Sequence, residues 1–121
     1  MQGIMIRFDD ISRIYIAPNV TDLRKGIDSY AAIVQNEFKQ DPFSDAMYIF
    51  CNRAHDKLKI LYWDGTGFWL LYKRLESGRF KWQKAEDGKA IEIAKRQLAW
   101  LLDGLKIEQK TSIRAVQYQY M

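Results

Sequence analysis

Only one cysteine, one histidine and two prolines occur among the 121 residues. With Cys51 alone, an internal disulfide is excluded, and a reducing, cytoplasmic setting is expected. Cys51 and His55 form a lone Cys-x-x-x-His pair with no second pair beside it, so no metal site is expected. A Cys-His nucleophile would need something to lower the thiol pKa, and nothing nearby does. Cys51 ends an apolar run and reads as buried and inert, while His55 reads as a solvated turn residue. No glycine-rich phosphate loop or dinucleotide fingerprint occurs, and no cofactor is expected. No apolar run approaches the length of a membrane span. Met1 to Phe8 lacks a basic start and runs at once into Asp9 and Asp10, so no signal peptide is expected.

Hydrophobic residues make up 48% of the chain and charged residues 28%, the balance of a folded protein rather than a disordered one. Aromatics reach 14%, enough large side chains to build a core in one domain spanning residues 1–121. The net charge of +4 is unevenly spread. Residues 1–51 carry five basic and seven acidic side chains, residues 52–84 eight and three, and residues 85–121 six and five. The basic excess therefore sits in the middle of the chain.

That middle reads as strands. Ile14 to Ala17 is a short strand stopped by Pro18. Thr21 or Asp22 is placed to cap a helix whose apolar face is Leu23, Ile27, Tyr30, Ala31, Val34 and Phe38, ending at Asp41-Pro42. Strands follow at Met47 to Cys51, Lys57 to Trp63, Phe68 to Leu75 and Arg79 to Trp82, with a shorter one at Ala90 to Ile93. Ala94, Leu98, Leu101, Leu102 and Leu105 repeat at helical spacing, and Gly104 stands where a C-terminal cap belongs. The expected fold is α+β: an antiparallel meander of about four to five strands with two helices packed on one face.

The turn Asp64-Gly65-Thr66-Gly67 pairs Trp63 with Phe68, which sets Lys57 opposite Arg74, Lys59 opposite Tyr72 and Leu61 opposite Leu70. A second turn would pair Leu75 with Phe80 and Arg74 with Lys81. Period-two alternation then separates two faces. Leu58, Ile60, Tyr62, Trp69, Leu71, Leu75, Phe80 and Trp82 share one, with Lys73 as its only charge. The other holds Lys57, Lys59, Arg74, Arg79 and Lys81 beside Trp63, Phe68 and Tyr72, with Leu61 and Leu70 among them. Basic residues interleaved with aromatics neutralise phosphates and stack on bases. The same spacing also fits a solvated outer face, where lysine discourages edge aggregation.

Two further groups carry chemical possibilities. Asp22, Asp28, Asp64 and Glu92 would have to converge to make an acidic metal triad, and the chain is small for a transposase catalytic domain, so catalysis is not expected. Arg24 and Lys25 fall in a first helical turn, where the macrodipole favours acids, and Gly26 inside a helix costs about 1 kcal/mol relative to alanine. These oddities point to an anion or acidic partner at the bases and to close backbone packing at Gly26. Equally, Asp22 offsets the dipole and Gly26 admits a bulky neighbour.

Three blocks then carry a resemblance. They are Ala17-Pro18 with Thr21 to Asp28, Phe50 to Arg53 with KLKILYWDGTG and FWLLYKRLESGRFKW (residues 57–82), and Leu98 with Leu101 to Gly104. Together they closely resemble the second open reading frame of insertion sequence sixty-six-type elements, the TnpB accessory family. The resemblance runs over about residues 14–105 and leaves a tail, 106–121, that reads as a strand or as an end ordered by a partner. Arg24, Lys25, Arg53, Lys59, Tyr62, Trp63, Asp64, Trp69, Tyr72, Lys73, Arg74 and Arg79 match its motifs. It implies a non-catalytic accessory of transposition, encoded beside a separate transposase, and no catalytic residues to carry over. Two readings stay open. One is a DNA-binding accessory using Arg24, Lys25, Arg53, Lys57, Lys59, Trp63, Tyr72, Arg74, Arg79 and Lys81. The other is an interaction module docking on the transposase without touching DNA.

Overall fold

A computed structural model describes residues 11–108. The readings of Met1 to Phe8 and of most of the 106–121 tail lie outside the described residues. The elements in chain order are β1 (Ile14–Ile16), α1 (Ile27–Asn36), β2 (Met47–Cys51), β3 (Lys57–Trp63), β4 (Phe68–Arg74), β5 (Ile91–Ile93) and α2 (Lys95–Leu102).

β3 and β4 form the hairpin in the expected register, from Trp63 opposite Phe68 to Lys57 opposite Arg74. The turn between them is built by one carboxylate. Asp64 accepts the N–H groups of Thr66 and Gly67, both at 2.9 Å, and the Trp69 indole N–H at 2.8 Å. These donors hold the Asp64 carboxyl down at about 2. Gly65 takes a φ of +102°, a left-handed conformation that glycine adopts without Cβ strain. The W-D-G-T-G-F-W motif is thus a folding device.

The sheet order is β4-β3-β2-β1-β5. β2, β3 and β4 are the antiparallel meander expected, and β5 is antiparallel to β1. β1 and β2, however, are parallel, so the sheet is mixed. The reason is α1: a long crossover carrying a helix returns the chain in the same direction.

The helices do not share a face. α1 covers Tyr15, Tyr48, Phe50 and Leu61, against which Tyr30 and Val34 pack. α2 covers Ile14, Ile16, Met47, Ile49, Leu58, Ile60 and Tyr62, against which Leu98 and Leu101 pack. All five residues of β2 are buried, the pattern of a central strand covered on both sides. The unbroken apolar run Met47 to Cys51 already carried that signal, since a strand with one wet face would alternate with polar residues.

The return strand at Arg79 to Trp82 does not form. Phe80 N–H donates to His55 O at 2.6 Å and Leu75 N–H to Asp56 O at 2.8 Å, so Leu75 and Phe80 do not pair with each other. Phe80 instead lies buried in the α2-side core. The Trp82 indole donates to Ala17 O at 3.0 Å while its ring packs against both cores. Burying Phe80 fully and Trp82 in part outweighs a short hairpin whose edge would stay in water.

α1 begins at Ile27, later than Thr21 or Asp22 would place it, because the Asp22 carboxylate turns back to the Arg24 N–H at 3.0 Å and makes a local turn. Arg24 and Lys25 therefore precede the helix. Gly26 is the N-cap with extended backbone, and a Cβ there would meet nothing within 4 Å. The close-packing expectation for Gly26 is overturned. The helix ends at Asn36, before Asp41-Pro42, with Lys39 at a φ of 58°. Leu23 and Phe38 lie outside the helix yet still pack on the α1-side core. At the end of α2, Gly104 has a φ of +80°, and Leu105 N–H reaches Trp100 O at 2.8 Å, closing the helix as expected. Lys73, the one charge on that face, donates to Leu102 O at 2.7 Å, where a cation suits the helix dipole.

A candidate nucleic-acid interface

α1 covers part of the β3–β4 outer face, and beside it lies an open groove of about 1060 Å³. One wall is the chain from Val20 to Arg24, the other the turn Asn52 to Ala54, and the floor is Lys57, Lys59, Leu70 and Tyr72. Four cations, Arg24, Arg53, Lys57 and Lys59, face one acid, Asp22. Tyr72 is 54% exposed, an uncommon state for an aromatic in a strand.

Each wall is held by its own bonds. Thr21 N–H donates to Cys51 O at 2.8 Å, tying the first wall to β2. The Tyr30 hydroxyl, reaching out from α1, donates to Asp22 O at 3.2 Å. Lys59 Nζ crosses beneath, 3.4 Å from Lys25 O and 5.9 Å from the Tyr30 ring centre, so its stem is packed and its head points at the loop. On the second wall the Asn52 side chain accepts the N–H groups of Asp56 and Lys57 at 3.1 and 3.0 Å and donates to the Asp56 carboxylate at 2.8 Å. That network holds Arg53 and Ala54 out at the tip.

The cations are not equivalent. Arg24 grips Asp22 through Nε at 3.0 Å and Nη2 at 2.9 Å, and this contact, with the Arg24 N–H, holds the Asp22 carboxyl well below the usual carboxylate range. Lys57 lies 3.4 Å from Asp56, whose carboxyl is also lowered, chiefly by Asn52. Arg74, next to the groove, pairs with Glu76 at 2.8 Å. Arg53 and Lys59 have no acidic partner among the described residues. They are the charges most available to an incoming anion.

Of the ten residues expected from the sequence, Arg24, Arg53, Lys57, Lys59 and Tyr72 line one groove. Lys25 borders it through its carbonyl, and Arg74 stands opposite Lys57 at its margin. Trp63 lies at the far end of β3, roughly 20 Å from Lys57 along the strand. There its ring meets Phe43 at 5.0 Å and Phe68 at 4.9 Å. Arg79 and Lys81 are outside the groove, on either side of Phe80 where the chain passes beneath α2. The sequence reading missed Asn52 as the organiser of the second wall, although Asn52 and Asp56 flanking a polar turn carried that signal. It also missed Phe43, 58% exposed, which joins Trp63 only through the fold.

The acids do not converge. Asp64 is spent on the hairpin turn, Glu92 lies in β5 at the opposite edge of the sheet, and Asp22 borders the groove. Among the described residues no three His, Cys, Asp or Glu side chains could hold a metal ion together. Cys51 is fully buried, and burial pushes its thiol up to about 12. Among the described residues no helix is long and apolar enough to cross a membrane.

Comparison with known proteins places this arrangement in context. The family described as IS66 Orf2 like protein matches residues 12–112. The uncharacterised protein y4hO of Sinorhizobium fredii is 42% identical over 93 residues, covering 77% of this chain and 80% of its own length. A second uncharacterised protein of the same organism, y4jC, is 33% identical over 93 residues, covering 77% of this chain and 79% of its own. No solved structure matches the chain.

Proposed function

The chain belongs to the IS66 Orf2-like family, a transposition-associated accessory family, and from that premise we propose that it is a non-catalytic accessory that binds DNA in the groove of Arg24, Arg53, Lys57, Lys59 and Tyr72. Its work is done in the cytoplasm beside a separately encoded transposase. The observation that carries this reading is the gathering of four cations and one exposed tyrosine in a single open groove. Cations at the walls neutralise phosphates, and an aromatic ring on the floor stacks on an unpaired base. Charge and one stacking ring dominate the groove, so the contact is expected to follow backbone charge and strandedness more than sequence.

The second reading, docking on the transposase without DNA contact, is favoured by a different feature, the ring cluster in which the exposed Phe43 meets the half-buried Trp63 and Phe68. Exposed aromatics anchor protein interfaces. One pair of variants separates the two. Tyr72→Ala should weaken binding to single-stranded element-end DNA by about fivefold to a hundredfold, from the usual worth of one stacked base. It should leave capture of the transposase unchanged. If Tyr72→Ala leaves DNA affinity intact while Trp63→Ala abolishes transposase capture, the groove is not the DNA site and the docking reading takes its place.

A further inference from the structure

The two edges of the sheet differ in kind. β5 is three residues long and offers little to pair with. β4 is seven residues, Phe-Trp-Leu-Leu-Tyr-Lys-Arg, with five apolar or aromatic side chains in succession. Its ladder with β3 is phased by two bonds, Leu75 N–H to Asp56 O at 2.8 Å and Asp64 N–H to Gly67 O at 3.0 Å. In that phase Trp69, Leu71 and Lys73 turn their N–H and C=O groups toward β3. Phe68, Leu70, Tyr72 and Arg74 turn theirs away from the sheet. Among the described residues no backbone or side-chain group bonds to those four outward N–H groups. A long, apolar, unpaired edge is what soluble proteins cover or blunt, and here no bulge or proline blunts it, while its one inward charge, Lys73, is held by Leu102 O.

We propose that β4 pairs with β4 of a second copy of this chain, antiparallel about a two-fold axis through Leu71, joining the two sheets into one. The side-chain order of the strand itself argues for that occupant. About that axis Leu71 faces its own copy, Leu70 faces Tyr72, Phe68 faces Arg74 and Trp69 faces Lys73. Each cation lies across from an aromatic ring, and no two like charges stand opposite, which is the favourable arrangement for cross-strand neighbours. The same register sets every outward amide against an outward carbonyl, since Phe68 with Arg74 and Leu70 with Tyr72 are all outward-facing residues. A two-fold strand pairing closes on itself and consumes the edge, so no open fibre follows. Both copies then present the α1 side to the same face, and Leu70 and Tyr72, which floor the groove, lie at the junction. The pairing stands on the edge and its register alone and does not rest on the DNA reading.

The test is made on the full chain by sedimentation across concentration and by cysteine cross-linking. Sedimentation should give twice the chain mass at high concentration. Leu71→Cys should oxidise to a covalent dimer, because facing residues of a non-hydrogen-bonded pair lie about 4.5 Å apart, within disulfide reach. Arg74→Cys should not, since its two copies would be roughly 20 Å apart along the strands. The native Cys51 is buried and does not compete. Leu70→Pro removes an outward amide without touching the β3 ladder and should weaken the dimer roughly thirtyfold, the worth of the two symmetry-related hydrogen bonds it deletes. A single-chain mass at every concentration overturns the proposal. So does equal cross-linking of Leu71→Cys and Arg74→Cys. Slow hydrogen exchange at Leu70 and Tyr72 in a monomer would likewise overturn it, by showing the edge covered from within the same chain.

Discussion

Replacing Arg53 and Lys59 together with alanine removes the two groove cations that have no carboxylate partner among the described residues. Each cation that displaces a counterion from DNA adds about 0.9 to the slope of log affinity against log salt on duplex and about 0.7 on a single strand. The double variant should therefore flatten that slope by about 1.8 on duplex or about 1.4 on single strands. Arg24, Lys57 and Arg74 reach a phosphate only by sharing or leaving Asp22, Asp56 and Glu76, so they do not replace the lost pair. Lys59→Ala also gives up the contact with the Tyr30 ring and with Lys25 O, a cost of up to about 1 kcal/mol in stability. Thermal melts by circular dichroism separate that loss from any loss of binding. The assay is fluorescence anisotropy of labelled element-end DNA over a salt series. The matched control is Arg79→Ala with Lys81→Ala, which subtracts the same charge from outside the groove. Equal flattening by both double variants would mean that DNA senses only net charge, and an unchanged slope in the groove variant would mean that the groove does not meet DNA.

Other outcomes test the fold that carries the groove. Asp64→Ala should lower the melting temperature at neutral pH, since four donors in the hairpin turn lose their acceptor. Because the folded-state pKa of Asp64 is depressed to about 2, its contribution is full above the unfolded value of about 3.9 and is lost as pH falls through about 2. The gap between wild type and Asp64→Ala should accordingly narrow over that window, and a gap that does not change with pH would refute the assignment. Gly26→Ser should raise stability by a few tenths of a kcal/mol in a denaturant titration, because the position is an open N-cap, and a marked loss would revive the close-packing idea. Phe80→Ala should cost about 3–5 kcal/mol although it lies in no strand, as expected for a fully buried ring, and a mild effect would mean that the segment beneath α2 is dispensable.

The local elements were legible because their causes are local. Apolar alternation, Asp64 to Gly67 and the Gly104 cap are each set by neighbours in sequence, and the β3–β4 register came out residue for residue. Burial of Cys51 followed from its apolar run in the same way. The errors lie where a distant partner competes with a local preference. Asp22 is a fair cap by type, yet Arg24 claims its carboxylate and delays α1. Phe80 and Trp82 alternate like a strand, yet the α2-side core offers them more buried area than a hairpin would. The parallel pairing of β1 with β2 depends on which way the crossover folds, and period-two patterning carries no such information.

The candidate groove divides along the same line. Which residues are basic or aromatic, and that they crowd into residues 52–84, is a property of the sequence alone. Which of them meet is decided by the tertiary structure. α1 lies on the basic face, so Lys59 is packed against Tyr30, while Arg24, thirty-odd positions away in sequence, becomes a wall of the same groove. Trp63 is carried to the far end of its strand, and Arg79 and Lys81 pass beneath the other face. Strand alternation assigns a side chain to a face, but only the placement of the helices decides which part of that face stays open to a ligand.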